Sequence, residues 1–412
     1  MAATVVPTED FTKPEQLGFD EKDQSDSGKF KFLLGLVKKL VGVSDIINLR
    51  LSLPSQVLDP IPNLEHFNWL DRPDYFAAMG SPADPLGRMI NVLKYSFSKE
   101  ISKAKYRIKK PYNSILGEHF LCSWDVALPE ESDKKVKVTM LNEQTSHHPP
   151  VSAFWLGCKE TGVVARGCDH LSAKFTGTSI KVIPGELGKG IYITLSHHDN
   201  EEYHISHCNA YIQGWLTGTL YLALQDRVVI SCSKSQIRVI YDFKPERWVG
   251  KARHAVEGII FKYTPTYEQG FASHSDMPPD NLRLSDIPKA DILAEISGSY
   301  KDKILITRAC GKEKEVLIDM GSLDSVPNSV KPIDQMDELE SHRVWQDVTE
   351  NILAKNFSQA TKAKLAIEDA QRARAKARAE NGEATWQPKY FKVLPKDREH
   401  CPELLDDAKP IY

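Results

Sequence analysis

The chain has 412 residues, 41% hydrophobic and 26% charged, an ordinary globular composition with enough apolar material for one large domain or two smaller ones. A formal net charge of -3 excludes the overall basic character typical of nucleic-acid binding, so any anion site must be local. No run approaches the ~18 apolar residues of a membrane-spanning helix and no cationic-then-apolar leader opens the sequence; seven scattered cysteines without C-x-x-C spacing read as reduced thiols of the cytosol.

Residues 1–28 carry seven acidic and two basic side chains with little apolar surface, which predicts a flexible acidic tail. Residues 29–54 hold an amphipathic segment and its connection. Phe30, Leu33, Leu34 and Val37, followed by Leu40 and Val41, recur at helical spacing, while Lys31, Lys38 and Lys39 fall largely on other faces. That is a helix of about four turns. Its apolar face either packs on the core or meets a membrane surface or lipid site. Gly35 costs it about 1 kcal/mol relative to alanine, which suits a movable cover.

Pro54, Pro60 and Pro62 break this pattern and open a helical region over 55–112, where PDYFAAMGSPADPLGRMINVLKYSFS predicts two or three helices. Over 113–290 the texture changes to short alternating runs such as FLCSWDVAL, KVKVTM, VSAFWL, GIYITL, RVVISCS, QIRVIYDF and GIIFKY. So many short strands between turn residues predict an antiparallel sheet closed or nearly closed on itself, large enough to enclose a ligand. Within 291–412 follow the strand-like runs KILITR and KEVLIDM and a long helix, 358–380, stopped by Asn381 and Gly382.

Three kinds of chemistry compete for the polar clusters. Zinc is suggested by HHDNEEYHISHC, which holds His197, His198, His204, His207 and Cys208, but no C-x-x-C precedes it and strand alternation sends His204 and His207 to opposite faces. A nucleophile with its base is not visible: there is no G-x-S-x-G, no H-E-x-x-H and no Gly-rich phosphate loop, and Ser146 and His147, being adjacent, point apart. The anion reading has three supports. In RIKKPYNSILGE, cations lead into Pro111 with the Asn113 amide beyond it. In NEQTSHHPPVSAF, His147 and His148 can donate to phosphate oxygens, with Pro149 and Pro150 stiffening the chain after them. On the long helix Lys364, Glu368 and Arg372 lie one turn apart, so Glu368 can orient both cations; an exposed salt-bridge ladder is the plainer alternative.

EQTSHHPPVSA, Glu143 to Ala153, resembles the signature of the oxysterol-binding protein family in full. KKPYNSILGE is similar to a second family motif and departs from it at Ser114, where proline is usual, which bears on the rigidity of the turn. KAKLAIEDAQRARAKAR with Trp386 and Pro388 resembles the family's last helix and the tryptophan beyond it. The resemblance, from about residue 30 onward, implies a mainly β fold with flanking helices: an incomplete antiparallel β-barrel around a hydrophobic tunnel, with an N-terminal lid and a C-terminal helical subdomain. It also implies a short member consisting of the lipid-binding domain alone.

Carried over residue by residue, it places a phosphatidylinositol 4-phosphate headgroup on Lys110, Asn113, His147, His148, Lys364, Glu368 and Arg372. Phe30, Leu33, Leu34 and Val37 become the tunnel cover. The second lipid is a sterol or phosphatidylserine, and no residue is assigned to a sterol hydroxyl. The implied protein is a lipid exchanger rather than an enzyme, the alternative being a non-transporting sensor. It would need no cofactor or metal, bind no nucleic acid, and be a cytoplasmic monomer touching endoplasmic reticulum, Golgi or plasma membranes transiently.

Overall fold

The computed structural model describes residues 15–16, 35, 51–52, 55–101, 109–129, 131–214, 221–245, 254–265, 277–279, 281–311, 313–382 and 386–408. Phe30, Leu33, Leu34 and Val37 lie outside them. Two short parallel pairs come first, β1 (Glu15–Gln16) with β2 (Leu51–Ser52) and β3 (Leu58–Pro62) with β4 (Lys110–Tyr112).

The main body is one sheet of fourteen strands among the described residues. Its first half comprises β5 (His119–Leu128), β6 (Glu131–His147), β7 (Pro150–Cys158), β8 (Val163–Phe175), β9 (Ile180–Pro184), β10 (Ile191–Leu195) and β11 (Glu201–Ile205). Its second half comprises β12 (Asn209–Gln213), β13 (Tyr221–Cys232), β14 (Ile237–Phe243), β15 (Ala255–Lys262), β16 (Ile292–Ser299), β17 (Lys303–Arg308) and β18 (Lys314–Asp319). The path runs from β18 to β5 without pairing those two ends, so the barrel is incomplete. β16 to β18 join the same sheet, which therefore continues past residue 290.

Strand alternation decides which side chains face inward. On β7, Phe154, Leu156 and Cys158 enter the main core, while Ala153 and Trp155 on the other face pack with Phe391 and Leu404. The concave side is filled by α1 (Asn63–His66), α2 (Pro73–Ala77) and above all α3 (Pro85–Ser98). The Asp84 carboxylate caps α3 by accepting from Gly87 N at 2.8 Å, and Pro85 occupies its first turn, where no amide hydrogen is needed. Met89, Val92, Leu93, Tyr95 and Phe97 are buried around its circumference, as expected of a helix enclosed by a sheet. A buried ion pair, Arg88 to Glu201 at 2.7 Å, ties it to β11.

Among the described residues this filling leaves a cavity of about 30 Å³, with Ser96, Phe97, Glu100, Leu224, Tyr241 and Phe243 in its wall. It has room for water and falls far short of a lipid. α4 (Ser341–Leu353) and α5 (Phe357–Glu380) pack outside the sheet against Leu58, Tyr112 and Ile115, and so bring the far end of the chain to the β4 turn.

Candidate functional site

The turn after β4 is built on a buried carboxylate. Glu118, 0% exposed, accepts from Ile115 N at 2.9 Å, Trp345 Nε1 at 3.0 Å and Ser341 Oγ at 2.7 Å. Burial pushes its pKa up to about 7, against the lowering effect of these three donors. One side chain thus fixes the turn's shape and clamps α4 to it. Gly117 adopts φ +79°, and a Cβ there would come within 2.5 Å of the Trp386 ring, so both the backbone and the close approach require glycine.

The turn is joined to α5 by Leu116 N, which donates to Gln371 Oε1 at 3.1 Å, and to β6 by Gly117 N, which donates to Gln144 O at 2.9 Å. Lys110 and Asn113 project from one side of this junction, α5 supplies another, and β6 ends at His147. Lys110 donates to Asn113 Oδ1. Lys110 is exposed at the surface, with neighbouring protein displacing part of the hydration of its ammonium. Lost hydration lowers its pKa to about 8. Lys364 lowers it further and Glu368 opposes both, so all three charges share one neighbourhood.

Lys364, 5% exposed, donates to Glu368 Oε1 at 3.3 Å, while Glu368 Oε2 is buried without a hydrogen-bond partner. The expectation that Glu368 orients both cations meets a different geometry: Arg372 pairs with Asp369, one residue along the helix. Two positions on α5 give Arg372 comparable reach, i to i+3 and i to i+4, and spacing does not choose between them.

His147 is half-buried and His148 exposed; their rings meet edge to face at 4.4 Å between centroids, and the peptide bond from His148 to Pro149 is cis. Ser146 Oγ donates to Pro149 O at 2.7 Å and closes the hairpin tip. The two histidines thus lie at the end of a strand whose preceding residue pairs lock it to the β4 turn.

The other histidine cluster is dispersed. The His198 ring nitrogen Nε2 contacts Gly80 O at 2.7 Å, His204 Nε2 contacts Lys189 O at 2.8 Å and stacks on Tyr192, and His207 stacks on Trp69. Among the described residues no group of three or more His, Cys, Asp or Glu is arranged to hold a metal ion.

Two residues with large structural roles went unassigned in the sequence reading. One is Glu118. The other is Glu143, fully buried, whose carboxylate accepts from Lys389 N at 2.6 Å and Tyr390 N at 2.9 Å and binds the C-terminal segment to β6. Burial raises its pKa as well, against those two donors and the Lys389 charge. Each is the acidic residue of a quoted motif, Glu118 closing KKPYNSILGE and Glu143 opening EQTSHHPPVSA, and that placement is the signal that could have marked it.

An antiparallel sheet that does not close, with helices packed against it and Lys110, Lys364 and Glu368 brought together beside the β4 turn, defines a mainly β domain with flanking helices. The family profile described as oxysterol-binding protein matches residues 32–273, and the chain belongs to that family. It is 34% identical to oxysterol-binding protein-like protein 1 of Schizosaccharomyces pombe, over 94% of this chain and 91% of that one. It is 28% identical to oxysterol-binding protein homolog 6 of Saccharomyces cerevisiae, over 92% and 78%. Among solved structures it resembles the Osh1 ORD domain in complex with cholesterol, with TM-score 0.67 and 18% identity over 97% of this chain and 91% of that chain. The Osh3 ORD of Saccharomyces cerevisiae in complex with PI(4)P has TM-score 0.64 and 16% identity over 90% and 89%.

Proposed function

We propose that this protein moves lipids between membranes, carrying a sterol in its interior and exchanging it for phosphatidylinositol 4-phosphate. The observation that carries the reading is the meeting of Lys110 and Asn113 with Lys364 and Glu368, two short segments some 250 residues apart in sequence, in one charged cluster. Cations that lose hydration there are compensated by a phosphate through charge-assisted hydrogen bonds. His147, His148 and Arg372 complete the donor set. Solved relatives holding cholesterol or PI(4)P support the same pair of ligands for this fold.

Apolar burial at about 25 cal/mol per Å² drives extraction of the lipid body, and Phe30, Leu33, Leu34 and Val37 close over it. A sterol is the interior lipid this reading takes first, because a solved relative holds cholesterol in this fold, and phosphatidylserine is the alternative. The two lipids compete for one interior, so loading one expels the other. No covalent step is involved.

Transfer between liposomes carrying labelled sterol and labelled phosphatidylinositol 4-phosphate tests this. The wild type should move both in opposite directions. His147→Ala with His148→Ala should abolish extraction of the phosphoinositide while sterol extraction largely survives. Equal loss of both lipids in a folded double variant would sink the site assignment, and binding without movement would show a sensor.

A further inference from the structure

Arg372 and Glu368 sit one helical turn apart, yet they do not pair. Arg372 is held by Asp369, whose side chain is 49% exposed, while Glu368 Oε2 is buried without a partner. An unpaired buried acceptor costs more than a half-exposed ion pair contributes, so local energetics favour turning Arg372 onto Glu368. A rotamer change suffices for that, with no backbone movement. What opposes it is charge: Lys110 and Lys364 already crowd the recess, and a guanidinium would be the third cation there. An anion in the recess removes that opposition.

We infer that Arg372 is a two-position side chain, parked on Asp369 when the site is empty and turned onto Glu368 Oε2 when a phosphate monoester neutralises Lys110 and Lys364, with Asp369 setting how readily it leaves. The inference rests on the headgroup reading of the site. Asp369 is then an affinity-tuning residue that never touches the ligand. Removing its charge should strengthen binding, and only through Arg372.

The test is calorimetric titration with a water-soluble short-chain phosphatidylinositol 4-phosphate at 0.15 M salt. Asp369→Asn should bind about two- to five-fold tighter than wild type, the range an exposed ion pair spans. Asp369→Glu, which keeps the parking partner, should match wild type. In an Arg372→Ala background the Asp369→Asn change should have no effect. A gain of equal size in that background would show that Asp369 acts as a distant charge, which overturns the inference. So would an Asp369→Asn variant that melts like wild type and binds no tighter. Failure of the wild type itself to bind, by contrast, refutes the headgroup reading, and the inference falls with it.

Discussion

Among the described residues no cation pairs with the Glu118 carboxylate, so its ionisation should be felt by the whole fold. Its pKa is raised from the ordinary 4.5 to about 7 by burial. Between those values the folded chain holds a proton there that the unfolded chain has released, so stability falls as pH rises through the window. The stability is fully present below about 4.5 and the loss is complete above about 7. At 1.36 kcal/mol for each tenfold change, the loss is on the order of 3 kcal/mol. That is a large share of the ~5–15 kcal/mol that keeps a domain folded. Glu118→Gln keeps the shape and cannot ionise. Its amide oxygen can accept from Ile115 N and Trp345 Nε1, and Ser341, which also lies 3.3 Å from His119 O, can turn to accept from its NH2. Urea unfolding of both proteins at pH 5 and pH 8, with the difference taken between them, isolates this group. The wild type should lose on the order of 3 kcal/mol more than the variant. If both lose the same amount, the three donors fully compensate the buried charge and the reasoning is wrong. Glu118→Ala should be destabilised at every pH by roughly 2–6 kcal/mol, because the Ile115 and Trp345 donors are left unpaired.

Two other perturbations probe the site and its support. Lys110, near pKa 8 when the recess is empty, should be driven back toward the charged form by a phosphate dianion. Headgroup affinity should then fall above pH 8 by up to tenfold per pH unit, and Lys110→Arg should flatten the curve; a dissociation constant unchanged from pH 7 to 9.5 would count against it. Glu143→Ala leaves the amides of Lys389 and Tyr390 without their acceptor, costing roughly 2–5 kcal/mol. Limited proteolysis should then cut within 386–408 faster than in wild type, and identical digestion patterns would refute the anchoring role.

The sheet was legible because β7, β14 and β15 alternate or run apolar over lengths typical of strands. Three strands were not. β8 reads VVARGCDHLSAKF, with Arg166, Gly167, Asp169 and His170 breaking the pattern, because Trp69 Nε1 donates to the Asp169 carboxylate at 3.0 Å and so satisfies what composition alone would send to solvent. β12 is half-buried throughout, and β16 mixes Glu295, Ser297 and Gly298 into its run. The helix α4 was overlooked for a related reason: Trp345, Val348 and Ile352 are its only large buried residues, and the donors that fix it point to Glu118, 223 and 227 positions away. Spacing placed Lys364, Glu368 and Arg372 on one helix face, but which carboxylate takes Arg372 depends on the charges of Lys110 and Lys364, a tertiary matter that no single segment encodes.

The bond from Glu143 to the amides of Lys389 and Tyr390 spans 246 residues. Those amides stand that far downstream of the strand that ends in His147 and His148, so on a ribosome β6 emerges long before its acidic side chain can be satisfied. Contacts of such separation are late events in folding. Glu143 therefore gains these two donors only once residues 389 and 390 have docked, and a chain cut short before them should leave a buried carboxylate without them. The anchoring of β6 to the C-terminal segment thus waits until nearly the whole chain has been made.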